Sequence, residues 1–152
     1  MSPALAAWCK AVATLGATVA LDQALKGIVV SSLTRGERES VFLGIDVTYI
    51  RNEGVAFGAF DDGGALIVIG TAVALALLVG YFALHAARPW IWLPVGVLLG
   101  GAFGNLADRV RDGAVIDYID PVLWPAFNLA DAAIVIGLLG LIYVAETAEG
   151  KE

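Results

Sequence analysis

Four aspartates of this chain stand in or beside apolar sequence: Asp22, Asp108, Asp117 and Asp131, with Lys26 and Arg109 close to two of them. A charged group in such surroundings is costly unless it is paired or faces a cavity, so each calls for a partner. Asp117 lies in Ala114-Val-Ile-Asp-Tyr-Ile119, and Asp131 follows Asn128 by three residues at the start of an apolar run. Both acids can therefore meet at one apolar–polar boundary. Two carboxylates sharing a site do not ionise together easily. One keeps a proton while the other acts as base, which is how an aspartate pair activates water and protonates a leaving amine. Such a pair titrates as a unit. Spacing alone equally allows a plainer reading, in which Asp131 complements the dipole of the helix it opens and Asp117 is a solvated loop acid. Asp22 and Lys26 are four residues apart in acid-first order, which predicts an ion pair on one helix face that orients the site. His85 reads as an interfacial residue in a tight connection. No Ser/His/Asp set, His-rich metal spacing or phosphate-cradling glycine loop competes, so neither metal nor cofactor is expected.

The elements that must hold these residues are apolar helices. The chain has 152 residues, 59% of them hydrophobic, and a mean hydropathy of +0.82, well above a soluble domain. Ala65 to Leu84 and Trp90 to Ala107 carry no charged side chain, and each approaches the roughly 20 residues that cross a bilayer. We expect an all-α membrane protein forming a single domain over residues 1–152, with transmembrane helices at about 6–28, 65–84, 89–107 and 128–146. Pro89 is placed to open the third. The polar segments between them, about 31–63 and 108–127, face one side. The first holds Val41 to Ile50, rich in β-branched and aromatic residues, which predicts a small β-rich segment between helices one and two. Asp61-Asp-Gly-Gly64 reads as a turn. Asn128 is predicted to cap the last helix, with Asp131 in a capping-box position. Gly96, Gly100 and Gly104 make one face of the third helix small enough for close approach, within a chain or between chains.

Several classes are excluded. The net charge is −6 and the basic residues are scattered, so no footprint for nucleic acid exists. The N-terminal stretch has no basic region before its apolar run and no small-x-small cleavage site. Cys9 follows bulky Trp8 and is expected to be a buried, inert thiol; a lone cysteine allows no disulfide framework. An ion transporter would show paired broken helices or repeats, and neither is present. Lys10, Arg88 and Lys151 fall on the side of the termini, against Arg35, Arg38, Arg51, Arg109 and Arg111 on the other. By the positive-inside rule this bias places the termini outside.

Five segments resemble successive blocks of the lipoprotein signal peptidase (signal peptidase II) family: Leu21-Asp-Gln-Ala-Leu-Lys26, Arg51-Asn-Glu-Gly-Val-Ala-Phe-Gly58, Gly100 to Arg109, Gly113-Ala-Val-Ile-Asp-Tyr118 and Phe127-Asn-Leu-Ala-Asp-Ala132. They occur in the family's order from the first helix to the last. The resemblance implies an inner-membrane aspartic endopeptidase that cuts prolipoproteins just before their diacylglyceryl-modified cysteine. It puts Asp117 and Asp131 on the catalytic dyad. Asn52, Gly54, Asn105, Arg109 and Asn128 fall on positions that hold substrate or order the site, and Asp22 and Lys26 on the polar pair of the first helix. Asp108 is expected to fix the turn beside Arg109. The implied topology, termini cytoplasmic and active site at the outer face, opposes the charge count, and we adopt it because Arg51 and Arg109 lie inside the motifs. A monomer in contact with membrane lipids and prolipoprotein is expected. Residues 52–60 are expected to form a flap over the substrate.

Overall fold

In the computed structural model, residues 1–42, 44–54 and 63–149 are described. Helix α1 (Pro3–Ser32) is opened by Ser2, whose hydroxyl accepts the Leu5 N–H at 3.2 Å, with Pro3 in the first turn where a missing N–H costs nothing. Its 30 residues extend about 45 Å, the full depth of a bilayer with its headgroups. Helix α2 (Gly63–His85) is followed by a short connection and α3 (Trp92–Asp112), and the chain closes with α4 (Leu129–Glu149). Helix α3 is central, and α1, α2 and α4 all pack against it. Among the described residues, Pro3–Ser32 and Leu129–Thr147 are each long and apolar enough by themselves to cross a membrane. Large apolar side chains cover the outer faces of the bundle: Val12, Leu21, Ile69, Leu77, Val135 and Leu139 are each more than half exposed. Water would not tolerate that surface, and lipid would.

The glycines of α3 set how close its neighbours come. A Cβ on Gly96 would lie 2.7 Å from Thr14 Cβ, and one on Gly100 would lie 2.5 Å from Thr18 Cβ. The small face is thus occupied by α1 of the same chain. On the other side, Gly137 of α4 leaves room for Leu98.

Three strands form one antiparallel sheet in the order β1 (Arg38–Phe42), β2 (Ile45–Asn52) and β3 (Val115–Pro121). The third strand is a departure from expectation, since it comes from the segment after α3 rather than from between the first two helices. Its buried run Val115 to Tyr118 carries an acid, Asp117, which masks the strand pattern. Helix α3 also differs. It begins at Trp92, with Pro89 in the preceding turn, and runs to Asp112, so Asp108 and Arg109 are helical rather than in a loop. Gly113 is the stop: at φ 73° it adopts the left-handed conformation and returns its N–H to the Arg109 carbonyl. The predicted turn at 61–64 falls partly outside the described residues, and Gly63 already belongs to α2. Cys9 is exposed rather than buried, because it lies on the outward face of α1.

Candidate active site

The site begins with the reversal at Gly113, which sends β3 back along the end of α3 and carries Asp117 inward, where it is buried. In the β2–β3 register Asn52 opposes Val115 and Ile50 opposes Asp117, so Asn52 and Asp117 are diagonal neighbours on one face. Asn52 Nδ2 donates to Asp117 Oδ2 at 2.9 Å. Phe127 pairs with Ile119 as an added rung of the sheet, and this fixes the next residue, Asn128, against the strand.

Helix α4 starts there, and its free N–H groups all find acceptors. Asn128 and Asp131 form the reciprocal box: the Asp131 N–H donates to Asn128 Oδ1 at 2.9 Å, and the Asn128 N–H to Asp131 Oδ2 at 3.2 Å. The Leu129 N–H donates to the Tyr118 hydroxyl at 3.1 Å. The Ala130 N–H donates to Asp22 Oδ1 at 3.0 Å. Side chains from α1 and β3 thus cap the helix that carries Asp131.

Beneath the two carboxylates lies a buried charged cluster. Lys26 Nζ donates to Asp22 Oδ2 at 2.8 Å, Asp108 Oδ2 at 2.7 Å and Asn105 Oδ1 at 2.9 Å. All three ammonium hydrogens are used, which fixes the side chain in place. Because the Asn105 oxygen accepts from Lys26, its Nδ2 must point the other way, and it donates to Asp131 Oδ1 at 2.7 Å. The Asn128 oxygen is taken by the Asp131 N–H, so its Nδ2 donates to Asp117 Oδ1 at 2.8 Å and to Asn105 Oδ1 at 3.1 Å. The Asn52 oxygen accepts the Gly54 N–H at 3.0 Å, which again leaves the nitrogen for Asp117. Each of the three amides is turned by a second bond so that its NH2 group faces a carboxylate.

The result is two aspartates whose four oxygens each accept one N–H, with further lone pairs free for a proton and a water. Burial raises Asp117 above the usual carboxylate range. The hydrogen bond from Asn52 opposes that shift, the Asp131 charge adds to it, and Asn128 and Lys26 oppose it. Burial also raises the Tyr118 phenol.

Asp22, Lys26, Asn52, Asn105, Asp108, Asp117, Asn128 and Asp131 come together in this one network. Asp108 does more than fix a turn, since it is the second counter-ion of Lys26. Arg109 is half-buried beside it, and its side chain bonds to no described residue. Gly54 sits at the edge with φ 75°; residues 55–60 of the expected flap lie outside the described residues. His85 is remote, its Nδ1 2.8 Å from the Tyr81 carbonyl. Sequence reasoning passed over Gln23 and Tyr118. Gln23 Nε2 donates to Asp108 Oδ1 at 2.9 Å and Asp22 Oδ2 at 3.2 Å. A polar residue three before Lys26, on the same helical face, was the available signal.

Set against other proteins, this geometry has a known context. The sequence profile of signal peptidase (SPase) II matches residues 14–146. The chain belongs to the signal peptidase II family. The lipoprotein signal peptidase of Pelotomaculum thermopropionicum is 44% identical over 119 residues, covering 77% of this chain and 78% of that protein. The enzyme of the same name from Serratia marcescens is 38% identical over 144 residues, 90% of this chain and 84% of the relative. Two solved structures described as bacterial membrane enzymes superpose with TM-scores of 0.77 and 0.79 at 30% and 29% identity; they cover 89% and 92% of this chain, and are themselves covered over 90% and 88%.

Proposed function

We propose that this signal peptidase II family member is a membrane-embedded aspartic endopeptidase that removes the signal peptide from prolipoproteins on the N-terminal side of the diacylglyceryl-modified cysteine, with Asp117 and Asp131 as its catalytic pair. The observation that carries the assignment is the set of amides oriented toward both carboxylates. It holds them side by side without neutralising them. The pair holds one proton between them: one carboxylate takes a proton from water as the water oxygen attacks the scissile carbonyl carbon, while the other carboxyl stays protonated. The protonated acid then gives its proton to the departing amine.

The substrate is already in the bilayer. An apolar groove of about 290 Å³ lined by Trp124, Phe127, Asp131, Ala132, Val135 and Ile136 opens beside the dyad, and it accommodates acyl chain or signal-peptide side chains from the lipid side. Val122, Leu123 and Trp124 are widely exposed and lie at interfacial depth. Arg109 and Asn52 hold substrate backbone. Gly54→Pro, which cannot adopt the positive φ, slows turnover without unfolding the helices; unchanged turnover counts against the expected flap.

The four helices span the bacterial inner membrane with cytoplasmic termini and the dyad near the outer face. The arginines that oppose this orientation are engaged locally: Arg35 with Glu53 at 3.5 Å, Arg38 with Asp120 at 2.5 Å, Arg111 with Asp112 at 2.7 Å. A monomeric enzyme is supported by its glycine face, which is filled by its own α1.

The test uses purified, detergent-solubilised protein with a prolipoprotein in lipidated and unlipidated forms. The wild type cleaves the lipidated form alone, and Asp117→Asn and Asp131→Asn each abolish cleavage. A folded wild type that cleaves neither form overturns the proposal, and survival of either variant moves the chemistry to another acid.

A further inference from the structure

The dyad and its support leave a second charged site unused at the opposite end of the helices. A cavity of about 350 Å³ opens between the first turns of α1 and the α2–α3 connection, lined among others by Ala6, Lys10, Arg88, Trp90 and Trp92. Lys10 Nζ stands 5.4 Å from the centre of the Trp92 ring, and the Trp90 and Trp92 rings stack at 6.0 Å. Among the described residues no carboxylate lines the cavity. Among the described residues neither Lys10 nor Arg88 forms an ion pair, in a chain with 15 acids against 9 bases.

The connection is held in a strained shape. Trp90 has φ 65°, a left-handed conformation that a bulky side chain avoids. Backbone bonds clamp it on both sides, from the Arg88 N–H to the His85 carbonyl at 2.9 Å and from the Leu93 N–H to the Trp90 carbonyl at 3.1 Å. Trp90 is 66% exposed and lines the cavity together with the two cations. An indole offers an apolar face and one N–H donor, which suits the boundary between acyl chains and headgroups.

We propose that Lys10, Arg88 and Trp90 form a binding site for the headgroup of an anionic glycerophospholipid, in the leaflet at the end of the bundle where α1 begins. The two cations take the phosphate and the uncompensated negative charge. A zwitterionic headgroup would bring its own ammonium into a cavity whose described lining holds no acid to receive it. The inference rests on the membrane-spanning reading but not on the peptidase reading. Lys10 lies twelve residues before Asp22, about 18 Å along the helix.

Native mass spectrometry of the full-length, detergent-solubilised protein tests it, with phosphatidylglycerol, phosphatidylcholine and inorganic phosphate as separate probes. Each cation near an anionic lipid contributes about fivefold, so the wild type retains phosphatidylglycerol about thirtyfold better than phosphatidylcholine. Lys10→Gln with Arg88→Gln abolishes the preference, and Lys10→Arg with Arg88→Lys keeps it, while all three proteins keep the same melting temperature and cleavage rate. Equal retention of the two lipids by the wild type overturns the site, as does full retention of phosphatidylglycerol by the neutral double variant. Displacement of the lipid by millimolar inorganic phosphate also overturns it, in favour of a free-anion site. A wild type that fails to cleave prolipoprotein but keeps the lipid preference sinks only the peptidase reading.

Discussion

Replacing Lys26 by methionine preserves most of the side chain's shape and removes its charge from a site where both counter-ions, Asp22 and Asp108, are fully buried. Removing one partner of a buried ion pair costs about 3–5 kcal/mol, because the stranded charge has lost its solvent as well as its partner. Here the stranded acids keep other bonds. Asp22 still accepts from Gln23 and the Ala130 N–H, and Asp108 from Gln23 and, at 3.5 Å, Arg111. The loss therefore falls at the lower end, about 3 kcal/mol. The triple variant Asp22→Asn, Lys26→Met, Asp108→Asn strands no charge and regains most of it. Activity responds separately. Without Lys26 the Asn105 amide is free to turn, and kcat falls on the order of 100-fold with little change in KM, the usual penalty for a misplaced reacting group. Denaturant unfolding in detergent, followed by tryptophan fluorescence, reads the first effect, and initial rates on lipidated prolipoprotein read the second. A Lys26→Met protein within about 1 kcal/mol of wild type, well below the cost of a stranded buried charge, or one with unaltered kcat, would refute the reasoning.

Other expectations follow from the same geometry. Asn52→Leu removes a hydrogen bond that lowers Asp117, so Asp117 holds its proton to higher pH and the alkaline limb of the kcat/KM profile moves up; a downward move contradicts the assignment. Gly104→Ala places a Cβ 2.7 Å from Asp22 Oδ2 and costs about 1–3 kcal/mol by overpacking, whereas Gly27→Ala, with nothing within 4 Å, is neutral or stabilising by about 0.5–1 kcal/mol; thermal unfolding of the pair separates them. Tyr118→Phe leaves the Leu129 N–H without its acceptor and lowers stability by about 1 kcal/mol, measured by denaturant midpoint.

Much of this site is legible in the amino-acid sequence, and the reason lies in cost. An acid in or beside an apolar run is so unfavourable that its presence alone marks Asp22, Asp108, Asp117 and Asp131 as groups that need a partner. The Asn128–Asp131 box is readable because helix caps obey a local rule of three residues. What is not legible depends on contacts between distant segments. Asp108 reads as a loop acid because hydropathy counts a charge without knowing that Lys26, on another helix, compensates it. Strand β3 escapes notice because its partner β2 lies more than sixty residues earlier, and Asp117 interrupts its apolar pattern. Tyr118 gives no signal, since its role comes from a backbone N–H that tertiary docking alone brings near. Cys9 shows the opposite error: an apolar helix in lipid presents outward residues that a soluble core would hide.

The capping of α4 by Asp22 and Tyr118 has a bearing on biogenesis. The dyad is stitched from the first helix, the sheet and the helix that leaves the ribosome after the other three. Until α4 inserts, Asp22 lacks one of its acceptor roles, Asn105 has no Asp131 to address, and Asp117 stands alone. A nascent chain stalled before Asn128 therefore lacks the network that gathers Asp117 and Asp131, and the cluster closes in a single late step of assembly.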